Sequence, residues 1–417
     1  MKKILTTLII CLYAFNGIAQ EITYSNQVFD DRVQTVQLMK KGTDDRYPII
    51  ALGAGDQLEL SFDMIAEKNE YFQYTLIHCD ANWNPTSLQQ NEYINGITFD
   101  NINDFKFSTN TYVKYVHYSL LLPNENMQPQ IAGNYLIKVY RNFDETDLVL
   151  TRRMMILKPA VSIDATARQS QLAQYRYSKQ EVNFTVSYKG YNIPNPYQDV
   201  NVFILQNNRW DNAISGLKPL FIRDNTLDYT YYDQNLFQGG NEFRFFDIRS
   251  LRQFSQNVRV KTLDSTYKCL LNYDEVRGSG QYFYYLDYNG KRIVTNKDGL
   301  NPAIDGDYVW VTFYLLSINP LPDDVYVYGE FTDWQLKPKY KMWYNKNRMR
   351  YESDALLKQG RYEYKFANKL ENGGIDDSLL EGSYSQAENE YLILIYHKNL
   401  QYKYDELVGS KIIKAQF

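Results

Sequence analysis

The chain is predicted to be all-β, a series of tandem antiparallel β-sandwiches of immunoglobulin-like or early-set type. Three observations predict it. Bulky apolar and polar residues alternate with period two over much of the sequence, as half-buried strands require, while helical periodicity is scarce. Tyrosine is unusually abundant, with 39 copies in 417 residues, and its ring and hydroxyl suit a pleated surface that is apolar inside and wet outside. Turn-forming Gly, Asn, Asp and Pro clusters separate the alternating runs at short intervals.

Residues 1–19 read as a secretory signal rather than as part of the fold. Lys2 and Lys3 precede an apolar run from Ile4 to Phe15, too short to cross a bilayer, and Gly17 and Ala19 are the small residues expected before cleavage at Gln20. Export is therefore expected. Losing this segment removes two lysines and no acid, so the mature chain is more acidic than the formal net charge of −4. An acidic balance gives nucleic acid or anionic lipid no long-range attraction, and neither is expected as a partner.

Residues 20–158 are expected to form the first sandwich. Residues 71–79 (YFQYTLIHC), 112–120 (YVKYVHYSL) and 134–140 (NYLIKVY) alternate, residues 152–157 supply a last strand, and Lys158-Pro159 marks a boundary. A second β block, residues 159–302, carries strands near 181–188, 200–205, 227–232, 242–247, 258–262, 267–273 and 282–287. Asn289-Gly290 is a strong type I′ turn signal after the last of these, and only residues 169–174 hint at a helix. Residues 303–417 are expected to form a third block, opening on the nearly continuous apolar run 308–316 (YVWVTFYLL) of a strand buried on both faces or closing a core. Strands near 325–331, 341–344, 362–366 and 391–397 follow. Gly133-Asn-Tyr135 and Gly360-Arg-Tyr362 share a spacing that places a tight turn and a corner tyrosine before a late strand in each block.

Few residues could carry chemistry, so no catalytic, cofactor-binding or metal-binding residue is assigned. His78-Cys79-Asp80 offers two ligands and a carboxylate, but a zinc site needs three or four ligands and the chain has three histidines. The expected role of this segment is a strand end with Trp83 as an anchor. Cys79 and Cys269 fall in different predicted domains, so two buried thiols are expected in preference to a bridge. Glu242, Arg244, Asp247 and Arg249 interleave with phenylalanines; the run reads as an ion network on a strand, with an interaction ridge as the alternative.

Residues 325–334 and 357–366 resemble the early-set sandwiches that precede amylase-type enzymes and the related glycogen-binding modules. That resemblance implies sugar contact at Trp334 and Lys365, making a glycan the alternative partner. The second stacking tryptophan of those modules has no equivalent in residues 367–380.

A wider resemblance rests on His78-Cys-Asp-Ala-Asn-Trp83, Gly133-Asn-Tyr135, Gln206-Asn-Asn-Arg-Trp210, Gly239 to Asp247, Asp287-Tyr-Asn-Gly290 and Leu357-Lys-Gln-Gly360. In order and spacing these resemble the signature segments of the plug protein family of the type IX secretion system. The resemblance implies a non-enzymatic periplasmic protein without cofactors. It would sit peripherally at the outer membrane, through protein contacts, and close the outer-membrane translocon barrel when idle.

Overall fold

The computed structural model describes residues 22–416 except 372, 400 and 402, so the expected signal segment lies outside the described residues. The fold is all-β, and its largely antiparallel sheets, with a parallel pairing of Tyr267–Leu271 on Tyr308–Leu316, pair into sandwiches. In the first, Gly133–Arg141 lies between Phe72–Cys79 and Asp144–Leu157. Across its core stands a sheet of Val33–Lys40, Leu58–Met64, Val116–Leu122 and Asp104–Phe107.

The predicted boundary at 302/303 needs correction, because two sheets cross it. Val200–Gln206 pairs with Glu390–Asn399, and Tyr404–Lys414 continues that sheet. Its partner layer is Ser162–Gln169, Lys179–Ser187, Thr226–Asp228 and Phe221–Arg223. The middle sandwich thus takes two strands from the end of the chain. In exchange, Arg244–Asp247 and Arg292–Val294 pair with Gly360–Lys369 in the third sandwich. The opposite layer there is Val258–Leu263, Tyr267–Leu271, Tyr308–Leu316, Arg350–Lys358 and Trp343–Asn345.

Both predicted corner tyrosines take the same role. Tyr135 donates its hydroxyl to the Ile131 carbonyl (2.8 Å), and Tyr362 to the Lys358 carbonyl (2.6 Å), four residues upstream in each case. Gly133 is required for a steric reason: at φ +141° a Cβ would stand 2.7 Å from His78 Nε2 and 2.9 Å from the Asp405 carbonyl oxygen.

Local strand propensities also fail where tertiary contacts take over. The expected strand at 282–287 is a loop, and the hint of helix at 169–174 becomes a short 3₁₀ turn at Ala173–Tyr175. The Asn-Gly turn does form, with φ of 57° at Asn289 and 78° at Gly290, but it closes a loop instead of a hairpin.

The sandwiches are fused rather than strung together. A core of Trp83, Leu136, Met155, Phe203, Leu205, Leu392, Leu394, Tyr396 and Leu407 lies between the first and middle sandwiches. Sheets covered on both faces lose their polar alternation, which explains the run Tyr391-Leu-Ile-Leu-Ile-Tyr396. At roughly 1.5–3 kcal/mol per fully buried large apolar side chain, even half of these hold the seam by on the order of 10 kcal/mol. Between the first and third sandwiches the seam is polar. Lys358 Nζ lies 2.7 Å from Asp63 Oδ2, both side chains at most 2% exposed, and Tyr308 donates to the same oxygen at 2.7 Å. Burial alone would raise the Asp63 pKa, but Lys358 and His117 outweigh it and hold it low.

Candidate functional site

Trp83 sits in the seam between the first and middle sandwiches, as an anchor. Arg153 lies 4.4 Å over its ring and Trp210 meets it edge-to-face at 5.5 Å, while the backbone turns through φ 67°. Cys79 and Cys269 are both free and buried, in separate cores.

The run from Gly239 to Arg249 points inward, so the interaction-ridge alternative is corrected for its central residues. Glu242 is 1% and Arg244 8% exposed. Arg244 donates to Glu381 Oε1 (3.0 Å) and Asp274 Oδ1 (2.7 Å). Burial pushes Glu381 up, but Arg244 and Arg277 outweigh it and hold it at about 2. Asp247 and Arg249 form a separate pair at 2.5 Å, half-buried beside it.

What this network does is hold the loop that sequence reading took for a strand. Arg277 donates to Glu381 (2.8 Å), the Tyr285 hydroxyl (3.0 Å) and the Glu242 carbonyl (2.8 Å). Tyr282 donates its hydroxyl to the Glu242 carboxylate, and Asp287 accepts from the Phe243 N–H at 2.6 Å. The Tyr288 and Gly290 N–H groups donate to Glu363 at 2.8 and 3.1 Å. Tyr282, Tyr285 and Asp287 are thereby drawn into the body. Phe283, Tyr284 and Leu286 are left outside, 71%, 63% and 66% exposed.

The result is a fixed ridge of apolar side chains on a polar footing. Rigid aromatics held in advance lose little conformational freedom on docking, which is how strong interface anchors behave. The footing is also protonated more readily than ordinary carboxylates. Burial, then the neighbouring Asp287, pushes Glu363 up to about 8, and burial with the same neighbour raises Glu242 to about 7. Sequence reading missed this ridge because its alternation mimics a strand. The only available signal was four consecutive tyrosine or phenylalanine residues, Tyr282 to Tyr285, close after a Gly-Ser-Gly stretch at 278–280.

The sugar-contact expectation is corrected at Lys365. It is 3% exposed, lies 4.2 Å over the Phe243 ring and stands 3.5 Å from Asp377. A buried, paired ammonium has no reach to a ligand outside. Trp334 packs edge-to-face on Tyr328 at 5.2 Å and on Phe243 at 5.9 Å, with Arg209 at 5.3 Å over its ring. Among the described residues no group of three or more His, Cys, Asp or Glu side chains is arranged to hold a metal ion.

Comparison with known proteins adds a lineage to this geometry. A family model described as the type 9 secretion system plug protein 1st domain matches residues 33–158, the body of the first sandwich. A crystal structure of a hypothetical protein from Parabacteroides merdae is similar over 94% of this chain and 100% of its own, at 32% identity and a TM-score of 0.91. Among curated proteins the chain has no match.

Proposed function

This chain belongs to the type IX secretion system plug protein family, and on that premise we propose that it is a non-enzymatic stopper for that system's outer-membrane translocon barrel. In this reading it works in the periplasm and closes the inner opening of the barrel while no substrate is passing. The family membership carries the proposal, and two physical features support it. A channel wide enough for folded cargo leaks small solutes unless something rigid covers it, and the apolar and ionic seams make three sandwiches into one stiff body. A reversible seal also needs a moderate, partly polar contact of roughly 1,200–2,000 Å². The ridge at Phe283, Tyr284 and Leu286 is the docking surface in this reading.

Affinity capture from detergent-solubilised envelopes tests it. The tagged chain is expected to recover a large outer-membrane barrel protein. Recovery of none, with the tagged chain intact, contradicts the proposal.

A further inference from the structure

A second polar cluster lies away from the ridge, where the first sandwich meets the third. Arg152 comes from the edge of the first, and Arg292, Asp333, Lys337 and Lys339 from the third; together they line a cavity of about 30 Å³. An adjoining cavity of about 80 Å³ shares Arg152, Arg292 and Asp333. In the first cavity four cations therefore face one carboxylate inside an acidic protein; the second adds Arg46, Arg153 and Glu330, whose carboxylate is taken by Arg46 at 2.9 Å and by the Arg292 backbone N–H at 2.7 Å.

Asp333 cannot balance them. Its two oxygens are taken by Arg152 at 3.4 Å and Lys337 at 2.5 Å. Burial would raise its pKa, but Arg152 and Lys337 hold it at about 2, so it is fully ionised and already committed. Arg292 is 7% exposed, donates Nη2 to the Val36 carbonyl, and leaves its buried Nε without a partner. Among the described residues neither the Arg292 guanidinium nor the Lys339 ammonium is paired with a carboxylate. A buried cation without a counter-charge costs several kcal/mol, and an unpaired guanidinium N–H adds to that.

Such a place calls for an anion, and its size selects the class. A water needs about 10–15 Å³, so the first cavity, which alone reaches all four cations, holds two or three, about the bulk of one tetrahedral oxyanion. Arginine forks and lysine point charges are the usual partners of tetrahedral oxyanions. We propose that this seam binds one small oxyanion of the phosphate or sulfate class, held by Arg152, Arg292, Lys337 and Lys339. The bound anion ties the first sandwich to the third and neutralises a strip of charge that otherwise pushes them apart.

The full chain is titrated calorimetrically with potassium phosphate, and its thermal unfolding is compared in phosphate and in potassium chloride of equal ionic strength. One saturable site is expected, and 10 mM phosphate raises Tm by about 2–4 °C over chloride. Arg292→Gln should weaken phosphate binding at least about tenfold. Lys339→Gln, at the exposed rim, should weaken it several-fold without lowering Tm in chloride, so it decides the matter if Arg292→Gln folds poorly. Equal Tm in the two salts, or heats that neither substitution alters, would overturn the proposal.

Discussion

Replacing Lys358 by methionine tests the rigidity on which a stopper depends. The Lys358 ammonium donates to Asp63 Oδ2 and to the Ala303 carbonyl, each at 2.7 Å, and lies 4.2 Å over the Tyr115 ring. Methionine keeps the length and the packing of the stem but strands Asp63, which is 1% exposed. Breaking a buried pair by removing one partner typically costs about 3–5 kcal/mol. Asp63 keeps hydrogen bonds from His117 (2.6 Å) and Tyr308 (2.7 Å), so the expected loss is at the lower end, about 3 kcal/mol. Urea unfolding of wild type, Lys358→Met, Asp63→Asn and the double variant measures it as a cycle. The double variant should recover at least about 1 kcal/mol of the loss, because the stranded charge is gone. A loss below about 1 kcal/mol for Lys358→Met, or no recovery in the double variant, refutes the view that this ion pair welds the two sandwiches.

Other outcomes follow from the same geometry. Phe283→Ser with Leu286→Ser should weaken capture of the translocon by about tenfold or more, while Tm shifts by no more than about 1 °C, since neither side chain supports the fold. Glu363 titrates at about 8 when folded, above its ordinary value of 4.5, so its stabilising contribution is complete below about pH 4.5 and fades as pH rises through 8. Glu363→Gln should accordingly lose less stability than wild type between pH 5 and pH 9, by up to about 4 kcal/mol, read from urea midpoints; parallel profiles would exclude the protonated footing. Tyr362→Phe removes the hydroxyl that caps the Lys358 carbonyl and should cost about 1–2 kcal/mol in the same assay.

The sequence was most legible where local rules and tertiary structure agree. The Gly-x-Tyr corners were readable because a glycine turn and a reaching hydroxyl both act within a few residues. Strand Tyr308–Leu316 was readable as a strand from its apolar run, but only the face of Val309, Val311, Phe313 and Leu315 is fully buried, while Trp310 on the other is 42% exposed. Block boundaries were not readable, because a strand such as Glu390–Asn399 can pair with any suitable edge, and nothing local specifies Val200–Gln206 over a nearer partner. The ridge failed for a different reason. Residues 282–287 alternate as a strand does, but Tyr282 bonds Glu242 and Tyr288 just beyond them bonds Glu363, both contributed from far along the chain, while Arg277, eight residues back, holds Tyr285. Lys365 shows the converse limit: a motif lysine names a role in related modules, and only its surroundings show that Phe243 and Asp377 already occupy it.

Single-channel conductance of the purified translocon barrel in a planar bilayer, before and after addition of this protein to the periplasmic side, tests the stopper most directly. The account predicts that wild-type protein closes large conductance events reversibly and that the Phe283→Ser, Leu286→Ser variant requires a higher concentration to do so. Conductance unchanged at saturating protein would contradict it.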